Sequence, residues 1–106
     1  MNNKKRTINI GLCKGRHDIV VNDKRLKYFV FDKIEDVCNP KKIEEQAIES
    51  LNKFVTKDVT NINLYVTGLT VALISALNAC KKLGITPKLF HYDKKKNKYF
   101  SQNIIF

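Results

Sequence analysis

The stretch Leu64-Tyr65-Val66-Thr67-Gly68-Leu69-Thr70 carries residue types that hold phosphate without a metal. An alternating apolar run ends there, a glycine permits a sharp turn, and a second apolar run begins at helical spacing. Such a strand-to-helix junction presents unpaired backbone N–H groups at the positive end of a helix dipole. Thr67 and Thr70 can add hydroxyl donors, and Gly68 and Leu69 complete the candidate ligand-binding loop. The plainer alternative is that Thr70 is only a helix cap and Gly68 only a turn residue.

A second candidate is Cys13-Lys14-Gly15-Arg16-His17, which also follows a strand-like run. If that strand lies parallel beside the Leu64 strand, both loops open at one edge. Lys14 and Gly15 would then contact the ligand, and the planar fork of Arg16 would clamp a phosphate. His17 is the candidate proton donor to a leaving ribose oxygen, or simply a hydrogen-bond partner. The alternative is a solvated loop.

The third candidate is Phe90-His91-Tyr92-Asp93. In a strand His91 and Asp93 share one face, where they could form an oriented base. Tyr92, with Tyr99 and Phe100, could stack on a nucleobase. The commoner arrangement is an edge-strand histidine bonded to a neighbour, with Asp93 opening a turn. Lys94, Lys95 and Lys96, followed by Lys98, form a charge run on that turn. It would serve nucleic-acid binding, or it is a solvated tip that protects the sheet edge.

Composition favours anionic partners. Among 106 residues, 20 are basic and 10 acidic, for a formal charge of +10. The imbalance is concentrated at the two ends. From Val59 onward Asp93 is the only acid, against Lys81, Lys82, Lys88, Lys94, Lys95, Lys96 and Lys98; residues 1–17 contain no acid. A compositional bias toward lysine explains the total equally well. Cys13, Cys38 and Cys80 are odd in number and far apart, so neither a disulfide framework nor a zinc site is expected. Free thiols and the absence of a signal-like or membrane-spanning apolar run lead to the expectation of a cytoplasmic protein. No Walker A loop, Gly-x-Gly-x-x-Gly fingerprint or serine nucleophile elbow is present, and no cofactor or metal is expected.

The elements that must position these residues follow from periodicity. Residues 1–6 read as a polar tail and 7–12 as a strand. Residues 19–21 and 26–31 are β-branched and aromatic and could form a hairpin across 21–24. Asn39-Pro40 opens a helix, with Ile43, Ala47, Leu51, Phe54 and Val55 at spacings of three and four. Glu44, Glu45 and Glu49 lie toward its positive end, and Lys53 and Lys57 toward the other. Residues 61–66 form a strand. Residues 71–83 are apolar nearly all round, which predicts a helix buried on more than one side, with Gly84 as its left-handed cap. Residues 87–92 and 98–106 are strands joined by the lysine turn. The expectation is one small α/β domain over residues 1–106, with a mixed, Rossmann-like sheet and the order β-β-β-α-β-α-β-β.

At Val66-Thr67-Gly68-Leu69-Thr70 and the apolar helix after it, the chain resembles the CRISPR-associated Rossmann-fold (CARF) sensors and the small ring nucleases related to them. The resemblance covers mainly residues 61–92. It implies a homodimer whose loops meet around a cyclic oligoadenylate, with backbone contacts at Thr67, Gly68 and Thr70 and a ligand contact from residues 14–17. Leu69 and Val71 stand where that family often has a second glycine and a basic residue. With no effector domain attached, the resemblance implies a protein that degrades the messenger or sequesters it, in antiviral defence or its evasion. Cleavage would be metal-independent, a ribose 2′-hydroxyl attacking its own phosphate. Two other readings stand beside this one. The first is a basic RNA- or DNA-binding module acting through Lys94, Lys95, Lys96 and Lys98. The second is a structural or protein-interaction subunit using Ile104, Ile105 and Phe106.

Overall fold

A computed structural model describes residues 6–15, 18–56 and 58–106, with the side chain of Thr60 also left out. Nine elements follow in chain order: β1 (Arg6–Cys13), β2 (Val20–Val21), β3 (Lys24–Arg25), β4 (Phe29–Phe31), α1 (Pro40–Phe54), β5 (Val59–Tyr65), α2 (Thr70–Lys82), β6 (Lys88–Asp93) and β7 (Lys98–Asn103). Five strands make one mixed sheet in the order β4-β1-β5-β6-β7. The contacts β4–β1, β1–β5 and β5–β6 are parallel, and β6–β7 is antiparallel.

Both helices lie on one face of this sheet. Ile43, Ala47 and Leu51 of α1 and Ala72, Ala76, Ala79 and Cys80 of α2 share a buried core with Ile10, Leu12, Ile62, Leu64 and Leu89 of the strands. The helices also pack on each other, and Lys82 of α2 reaches Glu44 of α1 at 2.8 Å. The small residues on α2 allow that close approach. Its buried stripe is one-sided, however: Ile74 is 54% exposed. The expectation of burial on several sides is therefore corrected. The apolar residues outside the stripe are covered only in part.

Local sequence sets the boundaries. The Asn39 side chain accepts a hydrogen bond from the Lys42 N–H, and Pro40 occupies the first helical position, as expected. The first turn of α1 contains no acid, and Glu44 acts across the helix pair through Lys82. At the end of α2, Gly84 has φ +75° and donates to Lys81, while Ile85 donates to Cys80. These two bonds form a Schellman cap.

The N-terminal third departs from expectation. Asn22 and Asp23 have φ of 51° and 63°, which closes a two-residue turn between β2 and β3. The hairpin partner of Val20–Val21 is thus Lys24–Arg25. The run 26–31 is not a single strand, because its end leaves the hairpin and pairs parallel with β1 as β4. Among the described residues four strands precede α1 instead of three. Arg6, expected in the tail, starts β1 and pairs with Asp58. Residues 1–5 of the expected tail lie outside the described residues.

Among the described residues the second face of the sheet carries no helix. Gly11 permits Phe29 to lie across it, since a β-carbon there would sit 2.5 Å from the phenyl ring and 3.1 Å from Ile19. Ile19, just before the β2–β3 hairpin, is thereby buried over this face. Across β5, β6 and β7 the second face is aromatic and polar. Register aligns Asn9, Asn63, Lys88 and Asn103 in one row and Gly11, Tyr65, Phe90 and Ser101 in the next. Among the described residues no helix is long and apolar enough to cross a membrane.

Candidate functional site

The parallel register brings the expected loops to one edge. β1 and β5 are neighbours, with Gly11 opposite Tyr65, so Cys13 and Thr67 come level at their carboxyl ends. β6 adds His91 and Tyr92 at the same end, because Phe90 is level with Tyr65. The β6–β7 turn, with Lys94, Lys95 and Lys96, also lies at this end. Arg16 and His17, the expected clamp and proton donor, lie outside the described residues.

Thr67 has a different task from the one its sequence suggests. Its hydroxyl donates to the Cys13 carbonyl at 2.8 Å and accepts from the Cys13 N–H at 3.2 Å. It extends the contact between β1 and β5 beyond the last paired residues. A hydroxyl committed on both sides is not a free ligand donor, so the expected Thr67 hydroxyl contact is corrected to a structural one. Gly68 follows with φ +81°, and a β-carbon there would lie 3.1 Å from Cys13 Cβ and Sγ. The backbone sign favours glycine, and the space beside Cys13 is tight. Burial raises the Cys13 thiol pKa, and a hydrogen bond with the Leu69 backbone partly opposes that rise. Sequence reasoning missed Cys13 as the residue on which this loop is built. Only the pairing register exposes it.

Beyond Gly68 the chain turns into α2. The cap position belongs to Leu69, which makes no side-chain cap bond, and Thr70 is the first helical residue. The Leu69 carbonyl receives the N–H groups of Ala72 and Leu73. The N–H groups of Thr70 and Val71 precede the helical ladder and point out of the helix start. Thr70 is exposed and Leu69 is 45% exposed.

Lys14 and Gly15 are exposed on the other side of this junction. They line a cleft of about 1090 Å³ that also takes in Asn9, Lys24, Arg25, Lys27 and Tyr28. Four cationic side chains converge on it. Asp18, also in its wall, is paired with Arg25 at 3.3 Å. The residues 67–70 do not line this cleft, so Lys14 stands between the strand-to-helix junction and the basic cleft.

His91 and Asp93 do not form an oriented base. His91 Nε2 donates to Gln102 Oε1 at 2.8 Å across the β6–β7 pair. The Asp93 carboxylate accepts from the backbone N–H groups of Lys95 and Lys96, which shapes the turn. An aspartate that starts a turn satisfies nearby amides first, because they are closest in sequence. Tyr92 lies on the helix-free face, 48% exposed, with its hydroxyl donating to Asn97. Lys98 opens β7 opposite Asp93. Among the described residues no group of three or more His, Cys, Asp or Glu side chains could hold a metal ion. The chain matches no protein-family model, no curated protein and no solved structure.

Proposed function

We propose that this protein binds a small phosphorylated ligand, a cyclic or signalling nucleotide, at the carboxyl edge between β1 and β5. One observation carries the reading. β1 and β5 are adjacent and parallel, yet the chain leaves β1 toward β4 on one side and leaves β5 toward β6 on the other. Open α/β sheets bind ligands in the crevice at such a reversal. The parallel strands, numbered among themselves in chain order, run 2-1-3-4, so the order reverses between β1 and β5. Among the described residues the β2–β3 hairpin, and no helix, lies in the connection from β1 to β4.

The surroundings suit an anion with several phosphates. The start of α2 offers backbone donors and the positive end of its dipole. Lys14 offers a cation beside them, and Lys24, Arg25 and Lys27 extend the positive field along the cleft. The resemblance at residues 66–70 makes a cyclic oligoadenylate, shared by two subunits, the first ligand to try. The protein then removes a messenger from solution, in antiviral defence or its evasion. If it cleaves that messenger, the ribose 2′-hydroxyl is the nucleophile and Arg16 and His17 are the residues to alter.

Titration calorimetry of the purified chain against cyclic oligoadenylates, cyclic dinucleotides and linear adenosine oligonucleotides tests the proposal. A saturable one-site isotherm with one member of the set, weakened by Lys14→Ala, supports it. Chromatography of the recovered ligand then reads cleavage against sequestration. Silence across the set would leave the reading without its ligand class and overturn it.

A further inference from the structure

The helix-free face of β5, β6 and β7 has a chemistry of its own, independent of the β1–β5 edge. Tyr65 and Phe90 stack with centroids 4.8 Å apart, Tyr99 meets Tyr65 edge-on at 5.0 Å, and Tyr92 meets Tyr99 at 5.1 Å. Tyr65 is buried beneath this cluster at 4% exposure, whereas Tyr92 keeps 48% of its surface open. The result is a preformed aromatic platform with its outer ring presented to solvent.

Beside it runs the polar row. Asn63 Nδ2 donates to Asn9 Oδ1 at 2.9 Å, which fixes both amide planes across the strand pair. Lys88 is next in the row and exposed. A recess of about 350 Å³ opens here, lined by Thr7, Asn61, Ile62, Asn63, Thr86 and Lys88. Amides, hydroxyls and an ammonium in a small recess suit the hydrogen-bonding edge of a nucleobase. The lysine turn 94–96 flanks the other end of the platform.

Charge selects the occupant. No carboxylate projects from β5, β6 or β7 onto this face, and the one acid in these three strands, Asp93, is held by the Lys95 and Lys96 amides. A second copy of the chain would bring its own lysines to a face with nothing to receive them. A polyanion with flat, stackable groups meets both features at once.

We propose that this face is a second binding surface, for single-stranded nucleic acid. Bases stack on Tyr92, Tyr99 and Phe90, phosphates meet Lys88 and the turn lysines, and one base edge enters the recess beside Lys88. Duplex cannot use the platform, because its bases are already stacked.

The test is fluorescence anisotropy of the full chain with labelled single strands of about twelve nucleotides, RNA and DNA, and a duplex of equal length. Single strands of either sugar are expected to bind more tightly than duplex. Tyr92→Ala is expected to weaken them about tenfold, and Tyr92→Phe to keep the affinity. A 2-aminopurine in the strand is quenched by the native chain and not by Tyr92→Ala. Lys88→Gln lowers the salt slope by about one. Thr70→Ala, at the other site, leaves all of this unchanged, which separates the two proposals. Equal affinity for duplex, indifference to Tyr92→Ala, or self-association through this face with no oligonucleotide bound would each overturn it.

Discussion

The Thr67 hydroxyl holds both backbone polar groups of Cys13, donating to the carbonyl at 2.8 Å and accepting from the N–H at 3.2 Å. This one side chain locks the ends of the two central strands, and with them the two loops proposed to meet the ligand. Thr67→Val keeps the shape and removes the hydroxyl. The Cys13 groups would then lack their partner in a half-buried place. The expected loss is about 1–3 kcal/mol of unfolding free energy. Urea denaturation measures it, and a variant as stable as the parent would show that the bonds contribute nothing.

Gly68 stands one residue further, at φ +81° and against Cys13. Gly68→Ala is expected to cost about 1–3 kcal/mol, from the left-handed backbone and the 3.1 Å contact together. Cys13→Ala leaves the Cβ contact but removes the sulfur. The double variant should therefore recover part of the loss and none of the backbone strain. Strict additivity of the two single changes would refute the contact.

The three cysteines should differ in reactivity. Cys38 is exposed, Cys13 is half-buried, and Cys80 is buried with its thiol pushed up to about 11. The thiolate is the reactive form, so burial and a raised pKa both slow alkylation. At mildly alkaline pH, iodoacetamide with mass-spectrometric readout should label Cys38 first, Cys13 later, and Cys80 only on unfolding. Early labelling of Cys80 would contradict the packing of α2.

Glu44 links the helices through Lys82. The hydrogen bond from that ammonium, before any other cause, holds the Glu44 carboxyl below its ordinary range. A folded-state pKa below the unfolded value gives stability that is present above the unfolded pKa, near 4.5. That contribution is lost as pH falls through the folded value. Lys82→Met should lower Tm slightly at neutral pH, flatten its fall with pH in that acid window and leave little difference below it. An unchanged acid slope would mean the pair is not formed in solution.

Much of this fold is legible in the sequence where local chemistry decides it. Asn39-Pro40 marks the start of α1, Gly84 the end of α2, and alternation the faces of β5 and β6. What escapes is pairing between distant segments. Nothing local in residues 26–31 says that the run splits, its end crossing to β1 while its start completes a hairpin. The tight turn at Asn22-Asp23 was visible only as a turn, and its two left-handed residues set a register that sequence alone leaves open. The site shows the same division. The Thr-Gly junction is readable as a strand-to-helix turn. That Thr67 serves Cys13, and that His91 turns to Gln102 and away from Asp93, depends on which strands are neighbours.

The most direct test of ligand binding at the β1–β5 edge is an amide-resolved NMR titration with the adenosine nucleotide that binds most tightly. The account predicts that the amides of Lys14, Gly15, Gly68, Leu69 and Thr70 shift together and saturate at one stoichiometry. Shifts confined to β6 and β7, or scattered over the lysines with no saturation, would contradict it.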